Sequence, residues 1–291
     1  MLPRAPDRSR DRRIEDPSNL WIIHPAAHSL LPWFLERGIS ANAVSLGGLC
    51  LGALAAVADA NWHHWPFTCA GLLLSVAWLV ADGLDGMIAR ATGTASALGR
   101  FLDGICDHGV FALIYIALAV SIGTLDAWIL GACAGVIHAL QSNLYESERA
   151  RFHRRRMGVA SVMPAASSNV LVRLYDYVWG VVDMFALRFD NVLGRHPNPA
   201  QFGATYAAAA AKPMRLMSLL SANMRVYAIF LACIARDPRL FWWIEILPMT
   251  AILIIGVCWH RAVESRLIRK MGSAAARIPD TQPTYSKDVT N

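Results

Sequence analysis

Charge is nearly absent from several long stretches of this 291-residue chain, each close to the length of a membrane span. A helix needs about 20 mostly apolar residues to cross the hydrocarbon core of a bilayer. Six stretches approach that: about Asn42–Ala60, Phe67–Arg90, Phe101–Ser121, Ala127–Glu146 with a charged extension, Ser218–Ala235 and Phe241–His260. From Asn19 to about Arg37 the apolar residues are interrupted by two His and two Pro. That segment is too broken to span and reads as a helix lying in the interface. Residues 152–212 are too polar to cross, and Asn169–Leu193 within them is amphipathic, as in a second interfacial helix or a cytoplasmic flap. Residues 1–18 mix Arg4, Arg8, Arg10, Arg12 and Arg13 with Pro, Ser and Asp and read as a solvated tail. The expected fold class is therefore all-α: a polytopic membrane protein of about six transmembrane helices, with N-terminal and mid-chain interfacial helices.

Charge orients this plan. Only 16% of residues are charged and 55% are hydrophobic, against about 25% charged in soluble domains. The net charge of +6 fits cytoplasmic connections and anionic headgroups; no basic patch interleaved with aromatics points to nucleic acid. The links Asn61–Pro66 and Gly123–Asp126 hold no Lys or Arg, whereas the N-terminal tail, Arg90–Arg100, Arg149–Arg156 and Arg266–Lys270 are basic. Six spans with both termini cytoplasmic put every strongly basic segment on one side. Arg236 and Arg239 run against that rule, and Trp62 and Trp65 belong at the opposite interface. The first forty residues hold no apolar core of a cleavable signal peptide before Trp21. The six cysteines form no CxxC pair and most sit in apolar runs, the pattern of inert thiols.

The chemistry concentrates between spans two and three. Acidic residues at membrane depth are costly and are functional candidates by default. Asp82 and Asp85 are three apart, and Asp103 and Asp107 four apart, so each pair shares a helical face. A short link makes their helices antiparallel neighbours, and the two pairs converge near the cytoplasmic surface. Four such carboxylates repel unless cations compensate, and Arg90 and Arg100 are too few. A hard divalent metal suits carboxylate oxygen, and four carboxylates suit two ions about 3.5–4 Å apart that clamp a diphosphate. Gly86 and Ala89 leave room beside the acidic face for a nucleotide, and Gly99 lies on the face of Asp103, allowing close packing.

The window DGLDGMIARATGTASALGRFLDGICD resembles the signature of the CDP-alcohol phosphatidyltransferase family, D-x2-D-G-x2-A-R-x8-G-x3-D-x3-D. Asp82, Asp85, Gly86, Ala89, Arg90, Gly99, Asp103 and Asp107 fill every specified position. The resemblance covers residues 42–151 closely and the rest as a general layout. It implies that Asp82, Asp85, Asp103 and Asp107 ligate two Mg²⁺ or Mn²⁺ ions, that Asp107 is also the general base, and that Gly86, Ala89, Arg90 and Gly99 serve the CDP site. Many members begin span one with Pro-Asn; here Ala41–Asn42 stands instead, and Asn42 is assigned to the nucleotide. The implied division is 1–40, tail and interfacial helix; 41–151, catalytic core; 152–212, insertion; 213–272, spans five and six; 273–291, flexible tail. A homodimer in a bacterial inner membrane, its active site facing the cytoplasm, is the expected setting.

The partners expected are a membrane lipid and a small polar alcohol. CDP-diacylglycerol is the favoured donor, and a choline- or ethanolamine-type CDP-alcohol with a lipid acceptor is the alternative. Arg149, Arg225 and Tyr145 are the acceptor-binding candidates, since Arg suits phosphate; for the 149–156 run the plainer reading is anchoring to anionic lipid. A cation-coupled transporter is a remote rival, because such carriers place carboxylates near the midplane and these lie at helix ends.

Overall fold

The computed structural model describes residues 11–95, 97–160 and 187–275, without the side chains of 97, 98, 100–103 and 272–275. Every regular element among them is helical. A π turn, Asn19–Ile23, runs into α1, His24–Glu36; then come α2, Ala41–Ala60; α3, Trp65–Thr92; α4, Ala97–Ile122; and α5, Leu125–Arg156. A helical stretch over 187–194, α6, precedes α7, Pro199–Met217; α8, Ala222–Ile234; α9, Arg239–Ile244; and α10, Thr250–Ala275. Of the mid-chain amphipathic segment, residues 169–186 lie outside the described residues.

Among the described residues, five helical runs are long and apolar enough to cross a membrane: Ala41–Ala60, Trp65–Thr92, Gly104–Ile122, Leu125–Arg156 and Arg239–Met271. The fifth expected span differs from its sequence outline. Alone, α8 has 13 residues, about 20 Å at the helical rise and short of a bilayer. It continues from Pro199–Leu220 through a 43° bend, and together the pair makes a sixth candidate span. Ser221 at the break is extended, and its side chain accepts from Met224 N–H to cap α8. Thus the last part of the polar stretch 152–212 is helical and runs into this candidate span. The sixth expected span is α9 to α10, joined by a π turn, Glu245–Met249, that contains Pro248; a proline lacks the N–H that the regular ladder needs.

The chain divides into two compact units, Met1–His153 with Ala211–Val257, and Arg154–Ala210 with Cys258–Asn291. In the first, α2 packs against both α3 and α4. Small residues make this possible. A Cβ at Gly48 would touch Ala81 and Trp78 of α3, and one at Gly52 would collide with Val110 of α4. Trp78 and Phe111 join α3 to α4 edge to face at 5.4 Å. On the outer side, α1 rests on α3 through a cluster of Ala27, Val44, Leu84 and Ile88.

Three connections meet at one end of this unit. Trp62 Nε1 donates to Ser121 Oγ at 3.1 Å, Arg236 donates to the His63 carbonyl at 2.7 Å, and Arg239 lies 3.7 Å from Asp126 and 2.9 Å from Asp237. These are the links expected to face away from the basic side. Arg236 and Arg239, the two exceptions to the charge rule, are thus satisfied locally by a carbonyl and two carboxylates. Asp85 lies 20 residues along α3 from Trp65, about 30 Å away.

The second unit is built on Arg155. Its guanidinium is fully buried, bonds Asp190 at 2.7 Å and 3.1 Å and Glu264 at 2.5 Å, and sits over the Phe189 ring. Gly203 passes so close to the Arg155 carbonyl that no side chain fits between. Of the basic run 149–156, Arg149, Arg151 and Arg155 form ion pairs with carboxylates of the chain.

Replacing Gly52 with Val drives a branched side chain into Val110, so Gly52→Val should cost about 1–3 kcal/mol. Gly47→Ala, with open space around it on the same helix, should leave the melting temperature in detergent unchanged or slightly higher. Equal losses would contradict the α2–α4 contact.

Candidate functional site

The acidic end of α3 is fixed by what surrounds it. Leu84 and Ile88 are buried on the face toward α1 and α2, which leaves Asp82 and Asp85 one turn apart on the neighbouring surface. Asp82 is half-buried and Asp85 is 5% exposed. The helix ends at Gly93 (φ 69°), whose N–H bonds the Ala89 carbonyl, the left-handed stop that favours glycine. A short turn then starts α4, which carries Asp103 and Asp107 four residues apart.

Asp85 accepts from Ser45 Oγ of α2 at 2.5 Å. Below it opens a cavity of about 510 Å³ lined by Asn42, Ser45, Asp85, Gly86, Ala89, Arg90 and Gly99 among others. Every residue assigned to the nucleotide therefore borders one space. Gly86 matters sterically: a Cβ there would lie 3.2 Å from Arg90 Nη1. Asp107 borders a second cleft, about 140 Å³, with Ser142, Tyr145 and Glu146 of α5 and Ser221, Ala222 and Arg225 at the start of α8. His108, next to Asp107, turns its Nδ1 to the Gly104 carbonyl at 2.8 Å, one turn back on its own helix.

The acceptor candidates are placed differently from one another. Tyr145 is buried and lines the cleft. Arg225, 1% exposed, also lines it, but its guanidinium is engaged: Nε donates to Glu245 at 3.0 Å, Nη2 to Gln141 at 2.9 Å, and Nη1 to the Leu220 carbonyl. Arg149 stands one turn beyond Tyr145, paired with Glu15 at 2.9 Å and Glu146 at 3.3 Å. His138 completes the cluster, its Nδ1 3.6 Å from Glu245.

Among the described residues, no three His, Cys, Asp or Glu side chains form a metal-holding group. The Asp103 side chain lies outside the description, so the four-carboxylate set is not described in full. The donor chemistry of Asp82, Asp85 and Asp107, all carboxylate oxygens, suits a hard divalent ion.

Sequence reasoning passed over Ser45, Glu245 and the N-terminal segment. Ser45 carries no signal beyond its place three residues after Asn42. Glu245 did carry one, as an acid inside the sixth apolar run. The tail, expected to be solvated, buries Ile14 at 1% and Asp16 at 2% exposure, because Asn223 and Arg149 supply partners that an Arg-rich composition does not announce.

The family model for CDP-alcohol phosphatidyltransferase matches residues 39–253. Cholinephosphotransferase 1 of Gallus gallus is 29% identical over 195 residues, covering 60% of this chain and 57% of that protein. Cholinephosphotransferase 1 of Xenopus laevis is 25% identical over 127 residues, covering 38% of this chain and 31% of the relative. The chain thus spans little more than half the length of the first of these curated relatives. No solved structure matches it significantly.

Arg225→Leu should cost about 3–5 kcal/mol, because it strands the buried Glu245 carboxylate. Arg225→Leu combined with Glu245→Leu should recover most of that loss in thermal unfolding. A double variant no more stable than the single one would contradict the pairing.

Proposed function

We propose that this chain, which belongs to the CDP-alcohol phosphatidyltransferase family, transfers a substituted phosphate group from a CDP-alcohol to an acceptor hydroxyl and releases CMP. The observation that carries this reading is spatial: Asp85, Gly86, Ala89, Arg90 and Gly99, which belong to one sequence signature, border one cavity, and Asp107, the last residue of that signature, borders a second cleft.

In this reading Asn42, Gly86, Ala89 and Arg90 hold the nucleotide, with Gly99 giving space at the cavity edge. Asp82, Asp85, Asp103 and Asp107 would hold two divalent ions, Mg²⁺ or Mn²⁺. When bound, the ions neutralise the diphosphate and polarise the phosphorus under attack. Ser45 fixes the Asp85 carboxylate through its hydroxyl and so orients a ligand the ions need. Asp107 takes the proton from the acceptor hydroxyl as it attacks the phosphorus distal to cytidine, and the bond to CMP breaks. The apolar spans fit an integral membrane protein, with the site on the side of the basic connections.

Donor polarity follows the comparisons. Both curated relatives named above are cholinephosphotransferases, which favours a CDP-choline-type donor and a lipid acceptor over the CDP-diacylglycerol expected from sequence. The commitment of Arg225 and Arg149 to internal carboxylates points the same way.

Purified protein supplied with Mg²⁺ or Mn²⁺ should release CMP from CDP-choline when diacylglycerol is present. Asp107→Asn should lower the rate by roughly 10²–10⁴-fold, the range for a general base. Release only from CDP-diacylglycerol with polar alcohols would reverse the donor assignment, and turnover untouched by excess EDTA would remove the metal assignment.

A further inference from the structure

Two arginines stand beside the Asp107 cleft, and neither is available to a ligand without breaking an internal pair. Arg225 is held by Glu245, Gln141 and the Leu220 carbonyl. Arg149 is held by Glu146 of its own helix and by Glu15. Glu15 belongs to a segment that the sequence marks as a loose tail.

That segment is tied down on both sides of the cleft. Ile14 is buried, and Asp16 Oδ1 accepts from Ser18 Oγ at 2.5 Å and from the Asn19 N–H at 2.9 Å, which folds the chain into the turn leading to α1. From α8, Asn223 Nδ2 donates to Ser18 Oγ at 2.8 Å, to Asn19 Oδ1 at 2.8 Å and to Asp16 at 3.3 Å. From α5, Arg149 reaches Glu15 at 2.9 Å. Tyr145 and Ala222, which line the cleft, are one turn from Arg149 and next to Asn223. The segment therefore bridges the two helices that form two walls of the cleft, just beyond the residues that line it.

We propose that the segment Asp11–Asn19 is the outer wall of the acceptor cleft, and that Glu15 withholds Arg149 from it, so that the site takes an uncharged alcohol and rejects a phosphorylated one. This rests on the transferase reading above. A phosphate entering the cleft meets Glu146 at its edge and must displace Glu15 or Glu245 to gain a guanidinium. Either exchange leaves a buried carboxylate, Glu15 or Glu245, without its cation, which is costly. An uncharged hydroxyl compound asks for neither exchange and needs only the base at Asp107 and the apolar walls given by Phe111 and Leu220.

The test uses the full chain in detergent and glycerol phosphate as probe, with binding read by thermal shift and calorimetry. Fold is monitored by CDP binding. Because the readout is binding, it stands apart from turnover: absence of CMP release from every substrate pair would sink the transferase reading and leave this result interpretable. Wild-type protein should not bind the probe at millimolar concentration. Glu15→Gln should gain affinity by roughly tenfold or more, about the worth of one charge-assisted hydrogen bond. Glu15→Gln with Arg149→Gln, which removes both charges together, should lose that gain. Wild-type binding that disappears in the double variant would overturn the proposal, as would a folded Glu15→Gln that gains nothing. If Glu15→Gln fails to bind CDP, the wild-type and double-variant comparison decides alone.

Discussion

The close approach of α2 to α3 and α4 is the contact on which the site depends. At Gly52 there is no room for a methyl group against Val110, and at Gly48 the walls are Trp78 and Ala81. Helices in a membrane gain little from burying apolar surface against one another, so small residues that let backbones meet are what holds them together. With α2 seated this way, Ser45 falls beside Asp85 and Asn42 falls on the rim of the same cavity. The acidic end of α3 is then shaped by a neighbour rather than by its own sequence alone.

A second constraint is charge in a medium that solvates it poorly. Among the described residues each buried arginine is matched: Arg225 with Glu245, Arg155 with Asp190 and Glu264, Arg151 with Glu148. Such pairs contribute little net stability, but breaking one is expensive, so they fix geometry and register. The pairing also divides labour among the acids. Glu245, Asp190 and Glu264 are spent on arginines inside the protein, whereas the signature acids Asp85 and Asp107 border open cavities where a substrate can reach them.

Much of this was legible in the sequence because the bilayer leaves few choices. Apolar runs longer than 18 residues have one regular solution, and the starts of α2 and α3 fall within two residues of their outlines. The signature window was legible for a different reason: its eight positions are spaced to one helical face on either side of a short turn. What stayed hidden depends on partners far apart in the chain. Nothing near residues 11–19 says that Asn223, more than two hundred residues on, will receive them. The bend at Ser221 was equally unmarked, since polarity alone separated α7 from the span it extends. Glu245 could have been read as an internal counter-ion, being an acid in an apolar run, with Arg225 as a cation in the neighbouring apolar run.

The central claim is that the signature carboxylates on α3 and α4 hold divalent ions against a CDP-alcohol. Titration of Mn²⁺ into the detergent-solubilised chain, with free Mn²⁺ followed by electron paramagnetic resonance and CDP-choline present, tests it without requiring turnover. The account predicts saturable binding of about two ions per chain, strengthened by the nucleotide and lost in Asp85→Asn. Binding that never saturates, or that is the same in wild-type protein and Asp85→Asn, would contradict it.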